Sequence, residues 1–78
     1  MNYMWYKLLS KTKFQKGYGW YRTYGILAVS RGRTAHIIED ISLVKEKLLL
    51  LIAKFNAEKL ELCHLEQAVE DFLYDFEV

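Results

Sequence analysis

The sequence predicts an α+β fold in which a three-stranded antiparallel β-meander is followed by two amphipathic helices (βββαα, two layers). Residues 3–41 are rich in aromatic and β-branched side chains and are interrupted at "QKGYG" and "RGRT", where glycine permits chain reversal. From Ser42 onward the apolar residues instead recur with a helical period. A chain of 78 residues has the size of one domain. We therefore assign residues 1–78 to a single domain, with the meander over 3–41 and the helical pair over 42–77.

The strands are predicted over residues 3–14, 20–30 and 35–41, and the short turns between them require antiparallel pairing. The pattern does not decide which sheet face is buried, because apolar side chains occupy both odd and even positions of residues 3–9. Gly25, inside the second strand, predicts a bulge or a close approach of another backbone.

Ser42 is predicted to cap the first helix, because its hydroxyl can accept a hydrogen bond from the first turn. Asn56 is predicted to end that helix in a left-handed turn. The second helix is predicted over residues 62–76. The buried stripe of the first helix is predicted to consist of Val44, Leu48, Leu51, Ile52 and Phe55.

Three apolar residues of the first helix fall outside this stripe. Leu49, Ala53 and Leu50 lie about 140°, 180° and 240° from Val44, at about 100° per residue. One sheet cannot cover both sides of a helix, so the second helix covers these residues or they form an exposed patch, and such patches usually mark contacts between proteins. The sequence predicts a homodimer with Leu49, Leu50 and Ala53 in the interface and with Glu70 and Asp71 as a secondary surface.

The charge is strongly asymmetric along the chain. Residues 1–34 hold seven Lys or Arg and no acid, whereas residues 58–78 hold seven acids and one Lys. The basic half also carries the rings of Tyr3, Trp5, Tyr6, Phe14, Tyr18, Trp20, Tyr21 and Tyr24. An alternative function is therefore the binding of single-stranded nucleic acid, which combines stacking on exposed rings with a basic surface. The residues of that alternative are Lys7, Lys11, Lys13, Lys16, Arg22, Arg31 and Arg33, with Trp5, Trp20, Tyr21 or Tyr24. The competing interpretation is that a small sheet needs these rings for its core.

No catalytic, cofactor or metal site is predicted, and we do not expect an enzyme. The "GYG" segment lacks the spacing of a phosphate-binding loop. Cys63 and His64 are adjacent, so on a helix they would point about 100° apart, and zinc requires three or four ligands. The single cysteine and the absence of a long apolar run favour the cytoplasm and no membrane partner. No small-molecule ligand is predicted.

Three segments carry a resemblance: "TYGI" on the second strand, "EDIS" before the first helix, and "HLEQAVEDFL" near the end. In this order and spacing, over about residues 20–73, the chain resembles a family of short proteins of unknown function from clostridial-type Firmicutes. That family has Ser-Pro ahead of its "xHL" segment, where this chain has Glu61 and Leu62, so the start of the second helix is open. The resemblance implies a bacterial, cytoplasmic, self-contained domain, and it implies no activity.

Overall fold

The computed structural model describes residues 4–77, with the side chains of residues 4–74, and it has the predicted α+β architecture. Its elements are β1 (Met4–Gln15), β2 (Gly19–Ser30), β3 (Arg33–Ser42), α1 (Lys45–Glu58), a 3₁₀ turn (Leu62–His64) and α2 (Leu65–Glu77). The strands form one antiparallel sheet in the order β1-β2-β3. Among the described residues, neither helix combines the length and the apolar character needed to cross a membrane.

The β1–β2 hairpin is long and its register is unbroken. Met4 pairs with Ser30 at one end and Gln15 pairs with Gly19 at the other. The reversal is closed by a hydrogen bond from the Tyr18 N–H to the Gln15 carbonyl oxygen at 3.0 Å. Gly17 takes a φ of 88° in this turn, a backbone conformation that side chains with a Cβ rarely adopt.

The β2–β3 pairing is shorter and is interrupted by bulges. Tyr24 pairs with Ser42 and Ile26 pairs with Ile38, so Gly25 lies opposite three residues of β3, 39–41. A Cβ on Gly25 would collide with the carbonyl oxygen of Ile38. The predicted close approach at Gly25 is therefore confirmed, and it is what lets β3 bulge toward β2 here.

Asp40 fastens this bulge to the hairpin. Its Oδ1 accepts a hydrogen bond from the buried Thr23 hydroxyl at 2.6 Å, and its Oδ2 accepts one from Lys13 Nζ at 2.8 Å. These contacts, first the one from Lys13 and then the one from Thr23, hold the pKa of the Asp40 carboxyl below its usual range. Asp40 also has a φ of 62°, which Asp tolerates better than most residues.

The structure decides which sheet face is buried. Tyr6 is 1% exposed and Ile26 is fully buried on the face that the helices cover, whereas Trp5 is 48% exposed on the opposite face. The buried apolar core consists of Tyr6, Ile26, Ala28, Ile41, Leu48, Ile52, Phe55, Leu65, Val69 and Phe72. Most of the predicted α1 stripe is therefore buried, but Val44 precedes the helix and is 42% exposed.

The prediction for Asn56 was wrong. Helix α1 continues to Glu58, and Lys59 takes the left-handed conformation with a φ of 53°. Asn56 instead holds the edge strand: its Oδ1 accepts from the Tyr6 N–H at 2.8 Å, and its Nδ2 donates to the Tyr6 carbonyl at 2.9 Å. The Tyr6 hydroxyl also donates to the Leu60 carbonyl at 2.7 Å. The Asn56 amide thus makes the two hydrogen bonds that a neighbouring strand would make to Tyr6, and it joins α1 to β1.

The predicted helix starts also needed correction. Ser42 is the last residue of β3, and the residue before α1 is Val44. The Ser42 hydroxyl accepts from the Val44 N–H at 2.9 Å, so it shapes the connection and does not cap the helix. The segment predicted as one helix over 62–76 begins with a 3₁₀ turn and becomes α-helical at Leu65.

Candidate protein interface

The outer side of α1 is apolar and uncovered. Leu50 is 74% exposed, Leu49 is 41% exposed and Ala53 is also exposed. They lie there because Leu48, Ile52 and Phe55 turn the opposite side of the helix into the core. The sequence left open whether the second helix covers these three residues or leaves them as an exposed patch. In the structure the second helix does not cover them.

A groove of about 460 Å³ runs between α1 and α2 beside this patch. Leu50 and Asp71 both line it, so the fold brings together one residue from each of the two predicted surfaces. Leu49, Ala53 and Glu70 are exposed outside that lining. The apolar lining consists of Leu50, Leu51, Phe55, Leu60, Ala68 and Phe72, and the charged lining consists of Lys47, Lys54, Glu58 and Asp71.

The distal part of the β1–β2 hairpin, residues 12–22, projects beyond the rest of the fold, and we call it the arm. It projects because β3 ends opposite Tyr24, so the hairpin continues past its third strand. Helix α1 begins just after Ser42 and reaches Tyr6 at Asn56, which means that it lies over the other part of the hairpin. The arm therefore has no third strand paired to it and lies outside the part covered by α1, although the Lys13 side chain reaches Asp40 of β3.

The arm carries exposed aromatic rings. Trp20 is 73% exposed, Tyr18 is 71% exposed and Phe14 is 59% exposed. The rings of Phe14 and Trp20 lie 5.1 Å apart between centroids, and those of Tyr18 and Tyr21 lie 5.7 Å apart with their edges and faces in contact. Phe14, Tyr18 and Trp20 thus contact neighbouring rings and remain exposed, whereas Tyr6 belongs to the core. Tyr3 lies outside the described residues.

The seven basic residues of the nucleic-acid alternative are spread along the whole sheet, although Lys7, Lys11 and Lys13 share the sheet face away from the helices. Lys11 forms an ion pair with Glu39 at 3.0 Å, and Lys13 forms one with Asp40 at 2.8 Å. Lys16 and Arg22 are exposed on the arm. Lys7 lies further along β1, and Arg31 and Arg33 lie at the turn between β2 and β3, at the opposite end of β2 from the arm. Of the rings chosen for this alternative, Trp20 is on the arm, Trp5 is exposed elsewhere, and Tyr21 and Tyr24 are half-buried.

A second apolar surface lies on the sheet face away from the helices. Trp5 is 48% exposed and Ile37 is 47% exposed, and the half-buried Leu27 and Val29 lie between them. Leu9 lies beyond Lys7 on the same face of β1. This surface was not predicted from the sequence. The feature that could have indicated it is that apolar side chains occupy both odd and even strand positions, whereas a sheet covered on one face needs them at alternate positions only.

Cys63 and His64 lie in the 3₁₀ turn before α2, and both are exposed. The donor atoms of Glu61, Cys63 and His64 all lie within 4.8 Å of one another. From the sequence, Cys63 and His64 were predicted to lie on a regular helix, and no particular carboxylate was predicted beside them.

Comparison of the chain with protein-family models, with curated proteins and with solved structures finds no match in any of the three. The resemblance to the clostridial-type family therefore stays a prediction.

Proposed function

We propose that this protein is a small non-catalytic factor, bacterial and cytoplasmic, that acts through protein–protein contact and forms a homodimer with an accessory or regulatory role. The observation that carries the proposal is the exposure of Leu50, 74%, at the edge of an apolar groove. Covering a leucine side chain stabilises a contact by about 1.5–3 kcal/mol, and a two-fold dimer covers two such side chains, one from each copy.

A second copy of the chain is the partner that fits this surface best, because the molecule carries complementary charges. The arm contains no acid; Lys16 and Arg22 are exposed on it, and Lys13 is paired with Asp40 of the same chain. Helix α2 contains five acids and no Lys or Arg. An arm laid against α2 of the other copy places basic groups near acids and near the negative end of the helix dipole.

The shape of the molecule supports the same arrangement. The aromatic pair Phe14 and Trp20 lies on the same sheet face as the helices, because even-numbered positions of β1 and β2 share that face with Tyr6. Phe14 and Trp20 are 59% and 73% exposed, so the space beside these rings on this face is solvent. In a two-fold dimer the helical layer of each copy would occupy that space in the other, and the rings would reach the surface around Leu50.

Pairing of two β1 edges is a less suitable contact. Part of the edge is already occupied, because Asn56 satisfies the backbone groups of Tyr6. An antiparallel pair of β1 strands centred on Thr12 would place Lys11 opposite Lys13 of the partner strand, and like charges directly opposite each other destabilise a sheet.

Light scattering coupled to size-exclusion chromatography tests the dimer. We expect wild type to be dimeric, Leu50→Glu to be monomeric, and Ile37→Glu, the matched control on the other apolar surface, to stay dimeric. A monomeric wild type over a wide concentration range would overturn the homodimer. Dissociation by Ile37→Glu alone would overturn the choice of surface.

Mixing two variants tests the arm-to-helix arrangement. Trp20→Glu and Leu50→Glu each damage both contacts of a symmetric dimer, so each alone should be monomeric. A mixture should form dimers again, because the intact arm of one variant can meet the intact helical surface of the other. If the mixture remains as monomeric as its components, the arm does not bind this surface.

The second candidate function is the binding of single-stranded nucleic acid by the arm, and the exposure of Trp20, Tyr18 and Phe14 favours it. If Lys16 and Arg22 contact phosphates, log K should fall by about 1.4 per decade of salt. Replacing Trp20 by Ala should weaken binding by about 1–3 kcal/mol through the lost stacking. Fluorescence anisotropy with mixed-sequence single strands measures both, and no binding at about 50 mM salt, where such complexes are strong, would exclude this candidate.

A further inference from the structure

The turn that precedes α2 gathers three different metal-binding side chains. The carboxylate of Glu61, the thiol of Cys63 and the imidazole of His64 place one donor atom each within 4.8 Å of the others. Cys63 Sγ lies 3.7 Å from Glu61 Oε2. A tetrahedral zinc ion with ligands at about 2.0–2.3 Å separates its donors by a somewhat smaller distance, so small side-chain rotations suffice to close the set.

The geometry points to a zinc site in this turn, with Cys63, His64 and Glu61 as ligands and water in the fourth position. Zinc accepts a mixture of sulfur, nitrogen and carboxylate oxygen, and three protein ligands with one open position is a coordination that zinc proteins use. Magnesium and calcium require oxygen ligands, so the thiol and the imidazole select against them. All three side chains are exposed, so the ion can reach them directly from solvent.

The backbone of the turn is held in place on both sides, which limits the rearrangement that binding requires. Before the turn, the Leu60 carbonyl accepts from the Tyr6 hydroxyl at 2.7 Å, and the Leu60 N–H donates to Phe55 at 3.0 Å. Within it, the His64 N–H donates to the Glu61 carbonyl at 3.0 Å. After it, Leu65 is fully buried in the core.

The extended backbone of Glu61, ahead of the 3₁₀ turn, explains why helical spacing gave no indication of a site. In a 3₁₀ turn successive residues are about 120° apart, with three residues per turn. Glu61 is extended, with φ −77° and ψ 147°, and precedes the turn, so its side chain can fold back beside Cys63. No side-chain hydrogen bond caps this turn. A metal ion bound by Glu61 and by residues 63 and 64 would stabilise the start of α2, as a capping hydrogen bond does in other helices.

Titration with Co²⁺, followed by displacement with Zn²⁺ under reducing conditions, tests the site. We expect one ion per chain, with the thiolate-to-cobalt charge-transfer band and the visible bands of four-coordinate cobalt. Cys63→Ser should abolish the charge-transfer band. His64→Ala and Glu61→Gln should weaken binding at least about tenfold, since even partners of ligands contribute that much. His36→Ala, the matched control, removes an imidazole that contacts Glu66 at 3.1 Å outside the turn. It should change neither the charge-transfer band nor the affinity for the ion.

Circular dichroism of each variant checks the fold, which we expect to be intact because the three side chains are exposed. The absence of these bands in wild type, or their persistence in Cys63→Ser, would overturn the site. One ion per two chains would also overturn it, since that stoichiometry requires ligands shared between copies. The outcome does not depend on the proposed homodimer, because binding is measured equally well in the Leu50→Glu variant.

Discussion

The clearest energetic prediction concerns the contact between Asn56 and the edge strand. Asn56→Ala removes two hydrogen bonds, one from the Tyr6 N–H at 2.8 Å and one to the Tyr6 carbonyl at 2.9 Å. Each such bond contributes about 0.5–1.5 kcal/mol net, so the pair contributes about 1–3 kcal/mol. Alanine is a better helix former than asparagine by up to about 0.7 kcal/mol, which offsets part of this loss. We therefore expect the free energy of unfolding to fall by about 1–2 kcal/mol.

This loss is large for so small a protein. A chain of 78 residues has a total stability of about 4–12 kcal/mol, at about 0.05–0.15 kcal/mol per residue. The midpoint of thermal unfolding should fall by about 4–16 °C, because 1 kcal/mol corresponds to about 4–8 °C in a domain of this size. Urea unfolding followed by circular dichroism gives the free energy directly. It should be measured in the Leu50→Glu background, since dimerisation would make stability depend on protein concentration.

Two further variants separate the contact from general effects on the helix. Lys54→Ala changes an exposed residue of the same helix, and we expect its stability to stay within about 0.5 kcal/mol of wild type. Asn56→Asp keeps an acceptor for the Tyr6 N–H but places a carboxylate against the Tyr6 carbonyl, so at neutral pH it should be at least as unstable as Asn56→Ala. If Asn56→Ala is no less stable than Lys54→Ala, the amide does not hold α1 to β1.

Three other predictions follow from single contacts. The Asp40 pKa is lowered by Lys13, so the ionised carboxyl stabilises the folded state above the ordinary Asp pKa of 3.8, and this stabilisation is lost as pH falls through the lower folded value. Asp40→Asn removes the charge and keeps a residue that tolerates the positive φ. The difference in free energy of unfolding between wild type and Asp40→Asn should therefore shrink in urea titrations from pH 7 to pH values below 3.8, and a constant difference would contradict this role of Asp40. Gly25→Ala should cost at least about 1–3 kcal/mol in the same assay, because its Cβ would collide with the neighbouring backbone, and wild-type stability would refute that packing. In a Trp5→Phe background, Trp20 emission should shift to shorter wavelength as rising concentration drives dimerisation, and unchanged emission would show that the arm stays in water.

The candidate site was only partly predictable from the sequence. The angular positions of Leu49, Leu50 and Ala53 on a helix predicted that they face away from Leu48, because local helix geometry fixes these angles. The position of Asp71 across a groove from Leu50 depends on how two helices pack, and helical periodicity carries no information about that. The exposure of the arm could not be predicted either, because it depends on where β3 ends and not on any residue of the hairpin itself.

The sequence by itself determined the order and type of the elements, because alternation, helical period and turn glycines act over a few neighbouring residues. Only the tertiary structure decided that Asn56 binds β1, that Asp40 reaches Lys13 and Thr23, and that Glu61 lies beside Cys63 and His64. The first two contacts join residues that are distant in the chain, and the third depends on the extended backbone of Glu61 where a regular helix was expected to begin at the next residue. Each polar side chain has several local options of similar energy, and packing of the whole core selects one of them.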